Sequence, residues 1–279
     1  MASVINTNLL SLNAQRNTST SQASLATSLQ RLSSGLRVNS AKDDAAGLAI
    51  SERLNAQVRG SNVAIRNAND GISLAQTAEG ALSKVGDSLQ RMRELSVQAR
   101  NATNSTSDLD SIGKEYAQLS QEIGRVLGGT TFNGKAVVAG GAAALTFQVG
   151  ANTTTNDEVV ITTTNMAANA DITTVTGATI TNASTTADLK TIIDNIDTAI
   201  NTVSAERATL GAAQNRFDQV IGNLQISVEN QTAARSRITD ADFAEETANL
   251  SRASILQQAG NAMIAQANQI PSQVLSLLR

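Results

Sequence analysis

Residues 192–227 read IIDNIDTAINTVSAERATLGAAQNRFDQVIGNLQIS, and mostly apolar or small side chains recur there at alternating spacings of four and three residues. The positions that keep this spacing are Ile192, Ile196, Ala199, Val203, Glu206, Leu210, Ala213, Phe217, Val220, Leu224 and Ser227. A sustained 3.5-residue repeat is typical of a coiled-coil helix. One helix over this stretch would be about 54 Å long at ~1.5 Å per residue. Because a compact globule of this chain length is about 50 Å across, the sequence predicts an elongated molecule.

Three further segments keep the same spacing. In the first half of the chain the positions are Leu74, Ala78, Ala81, Val85, Ser88, Met92, Leu95 and Ala99. Near the ends they are Leu25, Leu29, Leu32 and Leu36, and then Leu256, Gly260, Met263, Ala267, Ile270, Val274 and Leu277. We therefore predict a mainly α protein, an elongated coiled-coil or helical bundle formed by the N- and C-terminal segments. The glycines at positions 60, 71, 80 and 86 each cost about 1 kcal/mol in a helix, which predicts a break or bend there.

The centre of the chain has a different composition. No Lys or Arg lies between Lys135 and Lys190, and the stretch 146–186 is rich in threonine. The β-prone runs 143–149 and 159–163 flank a turn-rich segment, and Asn133-Gly134 is a hairpin-turn signal. With few large apolar residues, this small β-hairpin subdomain is expected to bury little area and to lie outside the core.

Composition excludes most kinds of catalytic site. The chain has no His and no Cys, which removes zinc sites, Ser-His and Cys-His catalysis, iron–sulfur ligation and disulfides. Residues 129–136, GTTFNGKA, resemble a P-loop, but Ala136 replaces the magnesium-binding Ser or Thr, and a β-prone run follows where a P-loop opens a helix. We expect a simple turn there, and no catalytic residue, cofactor or metal.

Charge and hydropathy argue against two kinds of partner. A net charge of −3 and a pI near 5.1 argue against general nucleic-acid binding. The first residues, MASVINTNLLSLNAQR, lack the basic region and apolar core of a cleaved signal peptide, and no apolar run reaches the length of a membrane span. Neither nucleic acid nor a membrane is expected as a partner.

The apolar residues near the two ends predict self-association. On an isolated helix the C-terminal set would form a continuous stripe, and burial of each side chain is worth roughly 1.5–3 kcal/mol. The N-terminal leucines are the expected intramolecular partner, but two helices cannot fully cover both stripes. The predicted self-assembly seam is therefore Leu25, Leu29, Leu32 and Leu36 with Leu256, Met263, Ile270, Val274 and Leu277.

Four stretches of the chain resemble bacterial flagellin. They are ASVINTN at 2–8, LQRLSSGLRVNSAKDDAAGLAI at 29–50, SRITDADFAEE at 236–246 and ANQIPSQVLSLLR at 267–279. The resemblance covers about residues 1–135 and 190–279 in the family's own order. The centre is similar to that of a short-form flagellin with little beyond the family's β-hairpin.

The resemblance implies three parts and a structural role. Residues 1–43 with 240–279 would form a terminal coiled coil that is disordered in the monomer and lines the filament channel. Residues 44–130 with 187–239 would form a helical rod, and 131–186 a β-hairpin and short variable region exposed at the surface. The protein would polymerise into the extracellular flagellar filament for motility, after export, unfolded and without a cleaved signal, by the flagellar type III system.

The resemblance also implies partners besides the chain itself. These are an export chaperone at the C-terminal helices, hook-associated and cap proteins, and the host Toll-like receptor 5. Residues 89–98, LQRMRELSVQ, resemble the segment by which that receptor recognises flagellins. The matching positions are Gln90, Arg91, Glu94 and Leu95, with Glu115 from the following helix. Arg91 and Leu95 are four residues apart, so we expect them on one helix face.

Two other classes share part of this pattern. A hook–filament junction protein of the same secretion system would also have terminal coiled coils, although residues 33–50 favour the filament subunit. A chemoreceptor-like signalling hairpin is also long, Ala-rich and poor in aromatic residues, but it requires a membrane span or an input domain. The sequence shows neither.

Overall fold

The structure is mainly helical, with two small sheets. The computed structural model describes residues 7–139 and 144–276, of which 271–276 are described by their backbone alone. The helices are α1 (Leu9–Ser34), α2 (Ala45–Ala99), α3 (Thr106–Gly129), α4 (Ala170–Gly177), α5 (Thr186–Thr239) and α6 (Phe243–Ser276). The strands are β1 (Thr131–Phe132), β2 (Lys135–Ala136), β3 (Leu145–Gln148) and β4 (Glu158–Ile161). The predicted fold class, mainly α with a small β subdomain, is confirmed.

Contacts divide the chain into two compact units. Met1–Ala56 with Asn230–Arg279 form the first unit, and Gln57–Glu229 form the second. The first unit contains the contact between α1 and α6, and the second contains the main hydrophobic core. This division differs from the three expected parts, because residues 131–186 belong to the same compact unit as the core helices.

The core of the second unit follows the spacing found in the sequence. The buried positions on α2 include Leu74, Ala75, Ala78, Leu82, Val85, Leu89, Met92, Leu95 and Ala99. Those on α5 are Leu189, Ile192, Ile196, Ala199, Val203, Leu210 and Phe217. Helix α3 adds Ile112, Tyr116, Ile123 and Leu127. It begins with a capping box in which the Ser105 hydroxyl and the Asp108 carboxylate each bond to the other residue's backbone N–H.

Helix α2 is not broken at its glycines, contrary to the expectation from the sequence. A Cβ atom at Gly71 would lie 2.7 Å from Cζ of Phe217, so glycine leaves the space that the aromatic ring fills. The Phe217 ring also packs edge-on against Phe147 of β3, with ring centroids 5.5 Å apart and an interplanar angle of 83°. Packing against Phe217 therefore explains why a glycine stands at position 71, although glycine has a low helix propensity.

The predicted hairpin turn at Asn133-Gly134 is confirmed. Strands β1 and β2 pair antiparallel, with Phe132 opposite Lys135. Asn133 has a φ of 49° and Gly134 a φ of 76°, as a two-residue type I′ turn requires. The segment that resembles a P-loop therefore forms a hairpin and opens no helix. The second pair of β-prone runs forms the antiparallel strands β3 and β4.

The threonine-rich centre buries more than the sequence suggested. Four of its large apolar residues, Met166, Ile172, Val175 and Ile180, are at most 4% exposed. The Tyr116 hydroxyl of α3 donates a hydrogen bond to the carbonyl oxygen of Val175 at 3.1 Å, and burial raises the pKa of Tyr116. The expectation that 131–186 is a surface-exposed region of little buried area is wrong for these residues. Most large apolar side chains among the threonines pack in the core, although Val160 is exposed, and α4 was not expected at all.

We expect Ile172→Ala to destabilise the second unit by about 2–5 kcal/mol, because the removed atoms leave a cavity among buried neighbours. Thermal unfolding followed by far-UV circular dichroism measures the change. Thr174 is exposed on the same helix, so Thr174→Ala is the matched control and should alter stability by no more than about 0.5 kcal/mol. Equal midpoints for the two variants would show that α4 does not contribute to the core.

Candidate functional site

Helices α1 and α6 form an antiparallel pair with well-defined ends. Helix α1 begins after Asn8, whose side-chain oxygen accepts a hydrogen bond from the Ser11 backbone nitrogen at 3.1 Å. It ends at Gly35, whose φ of 71° is the left-handed conformation that favours glycine. Helix α6 begins after Asp242, whose carboxylate accepts from the Ala244 backbone nitrogen at 2.8 Å. These caps set the lengths over which the two helices face each other.

The contact between α1 and α6 consists largely of small and polar side chains that recur every seven residues. The buried or half-buried positions on α1 include Ser11, Ala14, Thr18, Ser21, Leu25, Ser28 and Leu32. Those on α6 include Glu246, Leu250, Ala253, Gln257, Gly260, Ile264 and Ala267. A Cβ atom at Gly260 would overlap Oγ1 of Thr18 and would lie 3.4 Å from its Cβ, so the helices approach closely at this point.

Most residues predicted to form the seam lie elsewhere. Leu25 and Leu32 are half-buried in the contact between α1 and α6. The exposed ones are Leu29, Leu36, Leu256, Met263 and Ile270. The side chain of Val274, and Leu277 altogether, lie outside the described residues. These five exposed residues are the part of the two stripes that the pairing of α1 with α6 leaves uncovered. Their role in contacts between copies stays a prediction.

A groove lies along the α1–α6 pair and has two parts. The apolar groove, of about 410 Å³, is lined by Leu10, Leu256, Met263 and Ile270 together with smaller residues of both helices. The polar groove, of about 550 Å³, is lined mainly by Ser and Thr side chains of α1 and by Arg31, Glu246, Asn249 and Arg252. Ser21 and Leu256 line both parts, so the groove is continuous. A contiguous apolar surface with polar residues beside it is typical of a protein interaction site.

An ion pair connects α1 to α6 at the end of the polar groove. Arg31 Nη1 lies 3.0 Å from Glu246 Oε1, and the side chains are 31% and 9% exposed. Among the described residues it is the one ion pair between these helices, since α1 carries only two charged residues, Arg16 and Arg31. Arg31 Nε is buried and has no hydrogen-bond partner among the described residues.

The receptor-matching residues lie on α2 and α3 of the second unit. Arg91 Nη1 contacts Glu94 Oε2 at 2.9 Å, and Arg91 Nη2 contacts Glu115 Oε1 at 2.8 Å. The hydrogen bonds that the Arg91 guanidinium donates to the Glu94 and Glu115 carboxylates raise the pKa of Arg91. Gln90 is also exposed, but Leu95 is only 2% exposed and packs in the core. The expectation that Arg91 and Leu95 present one surface is wrong, because Leu95 belongs to the buried stripe of α2.

Neither a metal site nor a membrane segment is present in the described part of the chain. Residues 7–139 and 144–276 contain no group of three or more Asp or Glu that could hold a metal ion. None of the described helices is long and apolar enough to cross a membrane.

This geometry defines a class of helical protein whose terminal segments pair with each other and leave an apolar groove exposed. Comparison with known proteins identifies the family. The model for the bacterial flagellin N-terminal helical region matches residues 5–143, and the model for the C-terminal helical region matches residues 193–278. The chain belongs to the bacterial flagellin family.

Full-length relatives agree with this assignment. The flagellin of Halalkalibacterium halodurans is 46% identical over 282 aligned residues, which cover 99% of this chain and 100% of the relative. The flagellin of Xenorhabdus nematophila is 44% identical over 317 residues, with 100% of both chains covered. The flagellar filament 33 kDa core protein of Treponema phagedenis is 39% identical over 286 residues, with 99% and 100% covered. The chain is a structural subunit of the flagellar filament and not an enzyme.

We expect Gly260→Ala to weaken the pairing of α1 with α6, because the new methyl group overlaps the Thr18 hydroxyl. Removing that hydroxyl and its methyl group in the double variant Thr18→Ala/Gly260→Ala should restore the pairing. The temperature at which filaments dissociate into monomers, followed by light scattering, measures both effects.

Gly222→Ala is the matched control for the substitution at Gly260. A Cβ atom there meets nothing within 4 Å, so the exchange should favour helix α5 by up to about 1 kcal/mol and should not lower the dissociation temperature. A Gly260→Ala filament as stable as the wild type would contradict close packing at this point.

Proposed function

We propose that the apolar groove along α1 and α6 is the surface through which copies of this chain contact one another in the filament. The observation that carries this proposal is the exposure of Leu10, Leu256, Met263 and Ile270, which are 54%, 52%, 62% and 41% exposed. The small residues between the helices hold the pair together without them. Burial of these four large side chains therefore requires another chain, and each side chain contributes roughly 1.5–3 kcal/mol when it is fully buried.

Self-assembly into a filament requires a surface on one copy that fits a different surface on the next, because such contacts leave each end open for growth. The groove is one such surface. In this proposal the terminal helices form the interior of the filament and are disordered in the free monomer. Their folding then accompanies assembly, as for segments that lack apolar partners when alone.

The same proposal includes the route to the filament. The chain is exported unfolded by the flagellar type III system, without a cleaved signal peptide, and adds to an extracellular filament. An export chaperone covers the apolar face of α6 before assembly, since its exposed residues would otherwise associate prematurely. Hook-associated and cap proteins contact the filament at its two ends.

We expect Leu256→Gln/Met263→Gln to raise the critical concentration for filament growth at least about tenfold, or about 1.4 kcal/mol. Glutamine keeps helix propensity near that of the residues it replaces and removes the apolar contact. Sedimentation of filaments grown from wild-type seeds measures the critical concentration.

Ile255→Gln is the control on the same helix. Ile255 is 65% exposed but does not line the groove, so this variant should assemble at close to the wild-type concentration. If both variants assemble normally, or if both fail equally, the groove is not the specific contact surface.

We also propose that the free subunit is recognised by the host Toll-like receptor 5 through the exposed cluster of Gln90, Arg91, Glu94 and Glu115. The cluster joins two helices by ion pairs, which holds the Arg91 guanidinium in a defined position on an accessible surface. Arginine held in this way is a common anchor of protein interfaces. Leu95 is left out of this surface because it is buried.

Arg91→Ala should lower the signalling potency of the monomer at least about tenfold in receptor-bearing cells, or about 1.4 kcal/mol. Exposed ion pairs contribute little to stability, so the fold should be unchanged. The control is Arg93→Ala, since Arg93 is equally exposed but pairs with Asp197 of α5 at 2.6 Å. A silent wild-type monomer, or a fully active Arg91→Ala variant, would contradict the proposal.

A further inference from the structure

The sizes of the side chains between α1 and α6 leave the alignment of the two helices open. Thr18 lies opposite Gly260, and Arg31 lies opposite Glu246. If one helix slid by seven residues, Thr18 would face Ala253 or Ala267 instead. Both are small, so the shifted pairs would fit nearly as well as the observed ones. Patterns of this kind specify register weakly, and a single buried polar contact often decides it.

Hydrogen bonds near the two ends of the α1–α6 pair do not depend on which residue supplies the acceptor, so the residue types there do not favour one alignment. The Arg37 backbone nitrogen donates to the Thr239 carbonyl oxygen at 2.7 Å, next to a bridge between Leu36 and Asp240. At the far end the Asn8 side-chain nitrogen donates to the Ala267 carbonyl oxygen at 2.7 Å. Each acceptor is a main-chain carbonyl, which every residue offers.

The ion pair does distinguish the alignments. The Glu246 side chain is 9% exposed, and its carboxylate needs the Arg31 guanidinium as a partner. A slide in one direction would place Glu246 opposite Leu25, and a slide in the other would place Arg31 near Ala253. The first slide would leave a buried carboxylate without a cation, which is strongly unfavourable, and the second would carry Glu246 past the end of α1 and break the ion pair. No other acidic residue of α6 lies at a position that faces α1, because Glu245 is exposed.

We propose that Arg31 and Glu246 fix the register of α1 against α6. They are positioning residues: they do not line the apolar groove, but they determine which residues of α1 stand across it from Met263 and Ile270. The consequence for assembly rests on the proposed function, because a shifted pair would present a differently arranged groove to the next copy. The register relates two segments of one chain, and a disulfide traps it in the free monomer even though these segments are disordered there on average and pair only transiently.

Disulfide trapping reads the register directly, because the chain has no cysteine of its own. The pair Thr18→Cys/Gly260→Cys reports the observed alignment, since the two Cβ positions are 3.4 Å apart, close to the ~3.5–4.5 Å found in disulfides. The pairs Thr18→Cys/Ala253→Cys and Thr18→Cys/Ala267→Cys report the two shifted alignments. All three are made in the full-length chain and oxidised under the same mild conditions.

We expect the first pair to form at least about ten times more disulfide than either shifted pair. Adding Arg31→Glu or Glu246→Arg should lower that ratio about tenfold, and combining both reversals should restore it. The conservative variant Glu246→Gln should lower it as well, because it keeps the shape and loses the charge. Arg16→Glu is the matched control on α1 and should leave the ratio unchanged.

Three results would overturn the proposal: equal yields from all three cysteine pairs, an unchanged ratio in both single reversals, or a double reversal that does not restore it. Growth on wild-type seeds is the second readout, and the double reversal should be incorporated where the single reversals are not. A wild-type chain that is trapped in the observed register but forms no filament would contradict the proposed function and still support the register assignment.

Discussion

The close approach of α1 to α6 is the constraint on which the first unit depends. Gly260 has no Cβ, and Thr18 occupies the space that one would need. At this point no large side chain fits between the helices, and large apolar residues such as Leu256 and Met263 lie at the margin of the contact. The same constraint therefore produces a pair with little apolar surface inside it and a groove with much apolar surface beside it. An interior that needs few large residues is what leaves Leu256 and Met263 free for a second chain.

The second unit uses the opposite arrangement. Its helices meet through Leu, Ile, Val and Met side chains that are almost completely buried, and it includes side chains from the centre of the chain as well. Phe217 illustrates how these parts interlock, because its ring fills the space at Gly71 and also packs against Phe147. This unit has its own continuous core, whereas the pairing of α1 with α6 relies on close contact, caps and one ion pair.

The sequence predicted the fold class, the buried spacing of α2 and α5 and the hairpin at Asn133-Gly134. Each of these follows from the spacing or type of residues within one continuous stretch of the chain. The sequence did not predict that Ser, Thr, Gly and Ala residues occupy most of the buried positions between α1 and α6, because the leucine spacing marks only Leu25 and Leu32 among them. A seven-residue repeat of the small residues Ala14, Ser21 and Ser28, beside Ser11 and Thr18, is visible in the sequence, but hydrophobic periodicity does not detect it. Helix α4 was missed because β-branched threonines disfavour helix in isolation, and tertiary packing of Ile172 and Val175 outweighs that preference. The burial of Leu95 was predictable from its own stripe, which the comparison with a receptor-binding segment obscured.

Tyr116 has an optical consequence. It is the only tyrosine, and the chain contains no tryptophan, so nearly all near-ultraviolet absorption and intrinsic fluorescence of the protein comes from one ring. That ring lies in the second unit, with its hydroxyl bonded to Val175. Spectra in this range therefore report the packing of α3 against α4 and are blind to whether α1 and α6 are joined or apart. A chain that has lost its terminal pairing would look native in such a spectrum.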